Sequence, residues 1–202
     1  MAIKLELKKT ERILFCGSKW WGDPDMPENM QYPTMEVTEE GETFDYPLTF
    51  VCQINCEDIA QFDTDGKLPH EGMLYFFAAV DDYIGYESPV QNPEGEWPKG
   101  RLVIKYAKTI NFETFQTCML VGDEDEQLTE PELEITFSQC SDEENCIKML
   151  CGDCTEPEHQ SLMKIVSDAA AGIDLGDRSI TVMMKDSDLK FGNWKRAKAV
   201  LK

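Results

Sequence analysis

The sequence has few basic residues and few histidines. Its 202 residues include 19 lysines and arginines against 39 aspartates and glutamates, which gives a formal charge of −20. A chain this negative repels nucleic-acid phosphates and anionic lipids, so neither a nucleic-acid nor a membrane partner is expected. The two histidines lie in no recognisable nucleophile motif, and the many carboxylates do not single out an acid–base pair. We therefore assign no catalytic residue.

Long hydrophobic runs and glycine-rich loops are also missing. The longest apolar run, residues 73–80, is far shorter than the ~20 residues that a membrane-spanning helix needs. The first nine residues interleave charged and apolar side chains and lack the apolar core of a signal peptide. The glycines are dispersed, so no phosphate-binding loop is predicted. We expect a cytoplasmic globular protein whose eight cysteines are reduced thiols.

Apolar residues make up 42% of the chain, enough to build a core, and their spacing predicts mostly strands. The predicted strands are residues 3–7, 48–54, 73–80, 102–106, 133–137 and 179–184. Residues 55–62, where Asn55 or Glu57 can start a helix, and residues 157–166 each fit either a short helix or an extended segment. Proline and glycine predict long loops over 22–33 and 89–100. The predicted fold class is mainly β (α+β), a β-rich roll with few short helices.

The sequence contains one internal echo. Residues 50–55 and 73–77 are followed by Asp81, and residues 162–168 and 180–184 are followed by Asp186. We therefore predict a single domain over 1–202 with an internal duplication, the two pseudo-repeats covering about 46–90 and 160–202. They are joined by an acidic middle segment, since residues 121–160 hold 13 acidic residues and one lysine.

Several short motifs resemble those of a known family. They are Ser18-Lys19, Gly22, Pro24 and Pro27, Tyr32-Pro33, Pro47-Leu48, Gln53-Ile54-Asn55, Leu68-Pro69 and the run from Gly72 to Phe77. In these the chain is similar to the YwqG-like family of bacterial proteins of unknown function, over roughly residues 13–198. The resemblance implies a β-rich roll with an internal duplication, and it implies no reaction and no catalytic residues. The chain departs from the family where Cys151-Gly152-Asp153-Cys154 replaces a Gly-Tyr-Pro segment.

Four cysteines lie close together near the end of the acidic segment. They are Cys140, Cys146, Cys151 and Cys154, and His159 follows them. Thiolates at such spacings hold zinc or iron–sulfur clusters, so a structural zinc site is one interpretation. The alternative is that they are ordinary buried or surface thiols, in which case no cofactor is expected.

Two amides lie on one face of a predicted strand. Gln53 and Asn55 alternate with apolar residues, and such amides need hydrogen-bond partners when buried. They form either a network that fixes the strand register or the polar floor of a ligand cleft. In a cleft between the repeats, Asp168 adds a polar group, and Tyr75 and Phe77 form the apolar walls.

Three aromatic residues flank the loop that begins at residue 22. Trp20, Trp21 and Tyr32 are rigid side chains of the kind that anchor protein interfaces. The alternative is that they plug one end of the core.

The leading functional hypothesis is a non-enzymatic, acidic protein-binding module, inhibitor-like or immunity-like, whose partner is a basic protein. The alternative is a small-ligand-binding protein or a hydrolase-type enzyme with a cleft between the repeats. Metal binding by the cysteine cluster is compatible with either. The sequence does not indicate an oligomeric state.

Overall fold

The computed structural model describes residues 1–121, 128–152, 154 and 156–202. Residues 122–127, 153 and 155, which belong to the predicted acidic segment, lie outside the described residues. The strands are β1 Ala2–Lys8, β2 Lys19–Trp20, β3 Asp25–Pro27, β4 Thr34–Glu39, β5 Glu42–Pro47, β6 Thr49–Asn55, β7 Met73–Ala78, β8 Gly95–Glu96, β9 Leu102–Ala107, β10 Phe115–Thr117, β11 Leu133–Cys140, β12 Lys148–Met149, β13 His159–Val166, β14 Ser179–Lys185 and β15 Lys198–Leu201. The helices are α1 Cys56–Ala60, α2 Asp186–Lys190 and the 3₁₀ helices Asp81–Ile84 and Trp194–Arg196.

Eleven of these strands form one curled antiparallel sheet. Its order is β8-β15-β14-β13-β12-β1-β11-β2-β6-β7-β9. The two end strands, β8 and β9, are joined by the short segment 97–101, so the curl brings the ends of the sheet towards each other as a half-barrel. This arrangement confirms the predicted mainly β class.

The apolar run in β7 is buried on both of its faces. Leu74 and Phe76 pack into the large core inside the curl. Met73, Tyr75 and Phe77 point to the opposite face, where they pack with residues of the β4–β5 hairpin in a second core. Because successive side chains of a strand alternate between faces, a strand between two cores needs apolar residues at every position. This double burial explains the continuous run over 73–80.

The strand predictions are confirmed at all six segments, and the short helix after β6 is confirmed as α1. The helical interpretation of 157–166 is wrong, because β13 occupies this segment and pairs with β14 from His159 to Val166. Cross-strand pairing therefore overrides the helix-like spacing of its apolar residues. The loops predicted over 22–33 and 89–100 contain the short strands β3 and β8.

The two echoing segments have corresponding elements. Strands β6 and β7 pair and are followed by the 3₁₀ helix that begins at Asp81. Strands β13 and β14 pair and are followed by α2, which begins at Asp186. The correspondence agrees with a duplication, which stays a prediction. Among the described residues, every helix is too short to cross a membrane.

Candidate functional site

Gln53 lies at the centre of a buried hydrogen-bond network. Its Nε2 donates to the Gly17 carbonyl at 2.9 Å and to Asp25 Oδ2 at 2.8 Å. Its Oε1 accepts a hydrogen bond from the Asp25 backbone N–H at 2.8 Å. Both the nitrogen and the oxygen of the amide therefore form hydrogen bonds. They attach Gly17, which precedes β3, and Asp25, which lies in β3, to strand β6.

Asp25 is the most heavily used acceptor in this network. Its Oδ2 lies 3.0 Å from the Nζ of Lys19, whose side chain is only 3% exposed. The Cys16 N–H donates to the same oxygen at 2.9 Å, and the Thr117 hydroxyl donates to Oδ1 at 2.8 Å. The carboxylate is therefore fully paired, which indicates a structural role for this part of the chain.

The other predicted ligand-binding residues also make contacts within the fold. Tyr75 is buried, and its hydroxyl donates to the Asp25 carbonyl at 2.7 Å. Asn55 caps α1 and donates to the Cys16 carbonyl at 3.2 Å. Phe77 is fully buried in the second core.

Asp168 does not join this group of residues. Its Oδ1 accepts hydrogen bonds from the Ala170 and Ala171 N–H groups, each at 2.9 Å, within its own turn. The structure thus brings Gln53, Asn55 and Tyr75 around the segment 16–25, and it uses Asp168 in a separate loop. A shared cleft stays a prediction.

The three aromatic residues predicted as anchors are packed into the protein. Trp20 and Trp21 are buried in an edge-to-face contact, and the Trp21 indole N–H donates to the Ala171 carbonyl at 2.7 Å. Tyr32 is half-buried edge-on against Phe77, and burial raises the pKa of its hydroxyl. These positions match the core interpretation of the three residues.

The predicted cysteine cluster consists of thiols that form no disulfide. Cys140 and Cys151 are buried together with Cys146 packed against them, and burial raises the pKa of Cys140 to about 11. Cys154 is half-buried, and its Sγ lies 3.9 Å from the Glu156 carbonyl oxygen. Within the described ranges, no three His, Cys, Asp or Glu residues are grouped as metal ligands.

A cavity of about 350 Å³, which the sequence did not indicate, lies beside the start of β6. We call it the Asp81 cavity. Its apolar wall consists of Trp21, Leu48, Phe50, Ile84, Leu120 and Leu128. Its polar groups come from Tyr46, Thr49, Asp81, Tyr86, Glu87, Thr129 and Glu130.

The strand register and one glycine place these groups. Thr49 pairs with Ala78, so the start of β6 lies beside the 3₁₀ helix that begins at Asp81. Gly22 has a φ of +71° and donates its N–H to the Glu130 carbonyl at 2.9 Å. A Cβ at this position would lie 2.8 Å from the Cβ of Glu132, so only glycine lets this wall approach so closely.

Asp81 is 6% exposed, and its two carboxylate oxygens have different surroundings. The Thr49 hydroxyl donates to Oδ1, and the Tyr46 hydroxyl lies near the carboxylate. Oδ2 is buried and has no hydrogen-bond partner among the described residues. Burial raises the pKa of Asp81, against the opposite effect of the Thr49 and Tyr46 hydroxyls. A buried, unpaired oxygen of this kind is costly unless a donor reaches it.

The remaining polar groups make the Asp81 cavity anionic. The Tyr86 hydroxyl donates to the Glu130 carboxylate, and Glu87 adds a further acid. The described lining includes no lysine, arginine or histidine. Together with the aromatic side chains of Trp21 and Phe50 in the lining, these acids favour a cation. In the sequence, Asp81 was noted only as the acidic residue that follows the apolar segment 73–77 in the internal echo.

Comparison with known families finds a match that covers more than half of the chain. Residues 18–155 match a family described as a domain of unknown function, DUF1963. The matched segment includes every residue that we describe in the Asp81 cavity. No curated protein matches the chain.

Proposed function

The chain belongs to the DUF1963 family of domains of unknown function, and we propose that it is a ligand-binding module whose Asp81 cavity holds a small organic cation. The observation that carries this proposal is the buried Asp81 Oδ2, which makes no hydrogen bond with the described residues although the Tyr46 hydroxyl lies near the carboxylate and a cavity lies beside it. An ammonium or guanidinium N–H supplies the missing donor and the opposite charge.

The size and lining of the cavity support a ligand with an apolar body. Its volume of about 350 Å³ is at the lower end of the roughly 300–1,000 Å³ of ligand pockets. The side chains of Trp21, Phe50 and Leu128 provide apolar contact. A small amine with an aromatic or branched aliphatic body fits both features.

The proposal predicts how binding depends on pH. Asp81 attracts a cation only in its ionised form. Burial raises the pKa of this carboxyl above its ordinary value. Affinity should therefore fall on acidification at a higher pH than for an exposed aspartate. The stability of the free protein depends on pH in the opposite direction, because burial disfavours the charged form of Asp81. The stability that protonated Asp81 contributes is present at low pH and is lost as the pH rises through its folded pKa.

The test compares three probes of similar shape and different charge. Benzylammonium, benzyl alcohol and benzoate are titrated into the protein by calorimetry, and we expect benzylammonium to bind most tightly. In Asp81→Asn its affinity should fall about tenfold to a hundredfold, because a hydrogen bond to a charged group contributes ~1.5–3 kcal/mol. The affinity of benzyl alcohol should change little, which also shows that the variant is folded.

Asp177→Asn is the matched control, since this exposed aspartate lies outside the cavity. It should bind benzylammonium as the unchanged protein does. Equal affinities for the three probes, or an Asp81→Asn variant that still prefers benzylammonium, would contradict the proposal.

A basic protein partner is the second candidate function. The net charge of −20 and the 13 acidic residues over 121–160 favour electrostatic steering of such a partner. In this second candidate function, the protein is an inhibitor-like or immunity-like module that acts in the bacterial cytoplasm. The resemblance to the YwqG-like family supports that setting. Affinity capture at low and high salt tests it: the retained proteins should be basic and should elute with salt, and retention that ignores salt would contradict it.

A further inference from the structure

The structure gathers positive charge in one place on an acidic protein. Three adjoining concavities of about 720, 890 and 790 Å³ are all bordered by Trp194. They are lined together by eight of the 19 basic residues and by three acidic ones. We call this surface the Trp194 groove. It lies where the ends of the curled sheet approach each other, between β9, α2 and the 3₁₀ helix Trp194–Arg196.

Most of this charge is not compensated by neighbouring acids. Across the part of the chain that the structure describes, five of the eight make no ion pair, although acids outnumber bases twofold in the chain: Lys99, Lys105, Lys185, Lys190 and Lys195. The pKa of Lys105 is lowered by burial and by the charge of Lys195. Like charges are therefore held close together at the groove, an arrangement that costs free energy in the absence of an anion.

A buried donor without an acceptor lies at the centre of the groove. Trp194 is only 7% exposed, and its indole Nε1 has no hydrogen-bond partner among the described residues. A Cβ placed on Gly192 would lie 3.5 Å from this nitrogen, so the donor sits directly beneath the exposed turn at Gly192.

We propose that the Trp194 groove binds a small phosphate-bearing molecule. A phosphate group carries close to two negative charges and three acceptor oxygens, which match several unpaired lysines and one indole N–H. An extended polyanion fits less well, because its remaining length meets an acidic surface. A compact anion interacts chiefly with charges within the ~8 Å screening length at physiological salt. This site shares no lining residue with the Asp81 cavity and has the opposite charge.

The test uses pyrophosphate as the probe and the indole N–H signals in NMR spectra as the readout. Trp194→Phe identifies the Trp194 signal by its disappearance. Titration of the unchanged protein with pyrophosphate at physiological salt should shift this signal saturably. Lys195→Met should weaken binding about threefold to fivefold, in the upper part of the range for an exposed charge pair.

Lys9→Met is the matched control, because Lys9 is exposed and outside the groove. It should leave the affinity unchanged. Equal weakening by Lys9→Met, or a Trp194 signal that does not move, would overturn the proposal. Tighter binding of a DNA duplex or of the dicarboxylate adipate than of pyrophosphate would overturn the assignment to small phosphate compounds.

Discussion

Asp25→Asn is expected to lower the free energy of unfolding by about 3 kcal/mol, at the low end of the cost of breaking a buried ion pair. The substitution keeps the side-chain volume and removes the charge that lies 3.0 Å from Lys19 Nζ. Among the described residues, Lys19 then retains Glu132, at 3.3 Å, as its one ionic partner. The asparagine amide can keep its oxygen facing the Cys16 N–H and Gln53 Nε2 only by turning its NH2 group towards Thr117, whose hydroxyl then has to accept instead of donate. The second contact of Lys19 is the reason for choosing the lower end.

Urea unfolding measures this change from the shift of the midpoint at an unchanged slope. Asp177→Asn, on the surface, should stay within about 0.5 kcal/mol of the unchanged protein. Lys19→Met combined with Asp25→Asn completes a double-mutant cycle. Because the double variant leaves no unpaired buried charge, its cost should be clearly smaller than the sum of the two single costs.

An Asp25→Asn variant within about 1 kcal/mol of the unchanged protein would refute this reasoning, because the pair would then be worth no more than an exposed salt bridge. Additive costs in the cycle would refute it as well. Either result would reopen the interpretation of Gln53 as part of a ligand cleft, since its hydrogen bonds to Asp25 would no longer be structural.

Two further predictions concern the backbone and the thiols. Gly72→Ala should lower the free energy of unfolding by about 3 kcal/mol, since its Cβ would lie 2.2 Å from a backbone oxygen at a φ of +83°. Gly66→Ala, at a φ of +63° in open space, should cost only about 1 kcal/mol by thermal unfolding, and equal costs would contradict the argument. Burial raises the pKa of Cys56 to about 12, so iodoacetamide near neutral pH should label the half-buried Cys154 well before Cys56. Mass spectrometry of the labelled peptides checks this order, and equal rates would show that Cys56 is accessible.

The sequence by itself predicted the elements whose signals are local. Strands β1 and β11 show alternation, and β7 shows the unbroken apolar run of a strand with a core on each side. Asn55 before α1 was readable because a capping side chain bonds within its own turn. Composition likewise set the net charge of −20.

The tertiary structure decided everything that depends on contacts between distant segments. Residues 159–166 became a strand because β14 pairs with them, which their own spacing does not encode. Asp81 faces a cavity because the register of β6 brings Thr49 beside it and Gly22 lets the chain near Glu130 form the opposite wall. The lysines around Trp194 come from segments between residues 67 and 198 that meet only when the sheet curls. The environment of a side chain is set by the segments that fold against it. The sequence therefore shows which residues are charged, and only the tertiary structure shows which residues surround them.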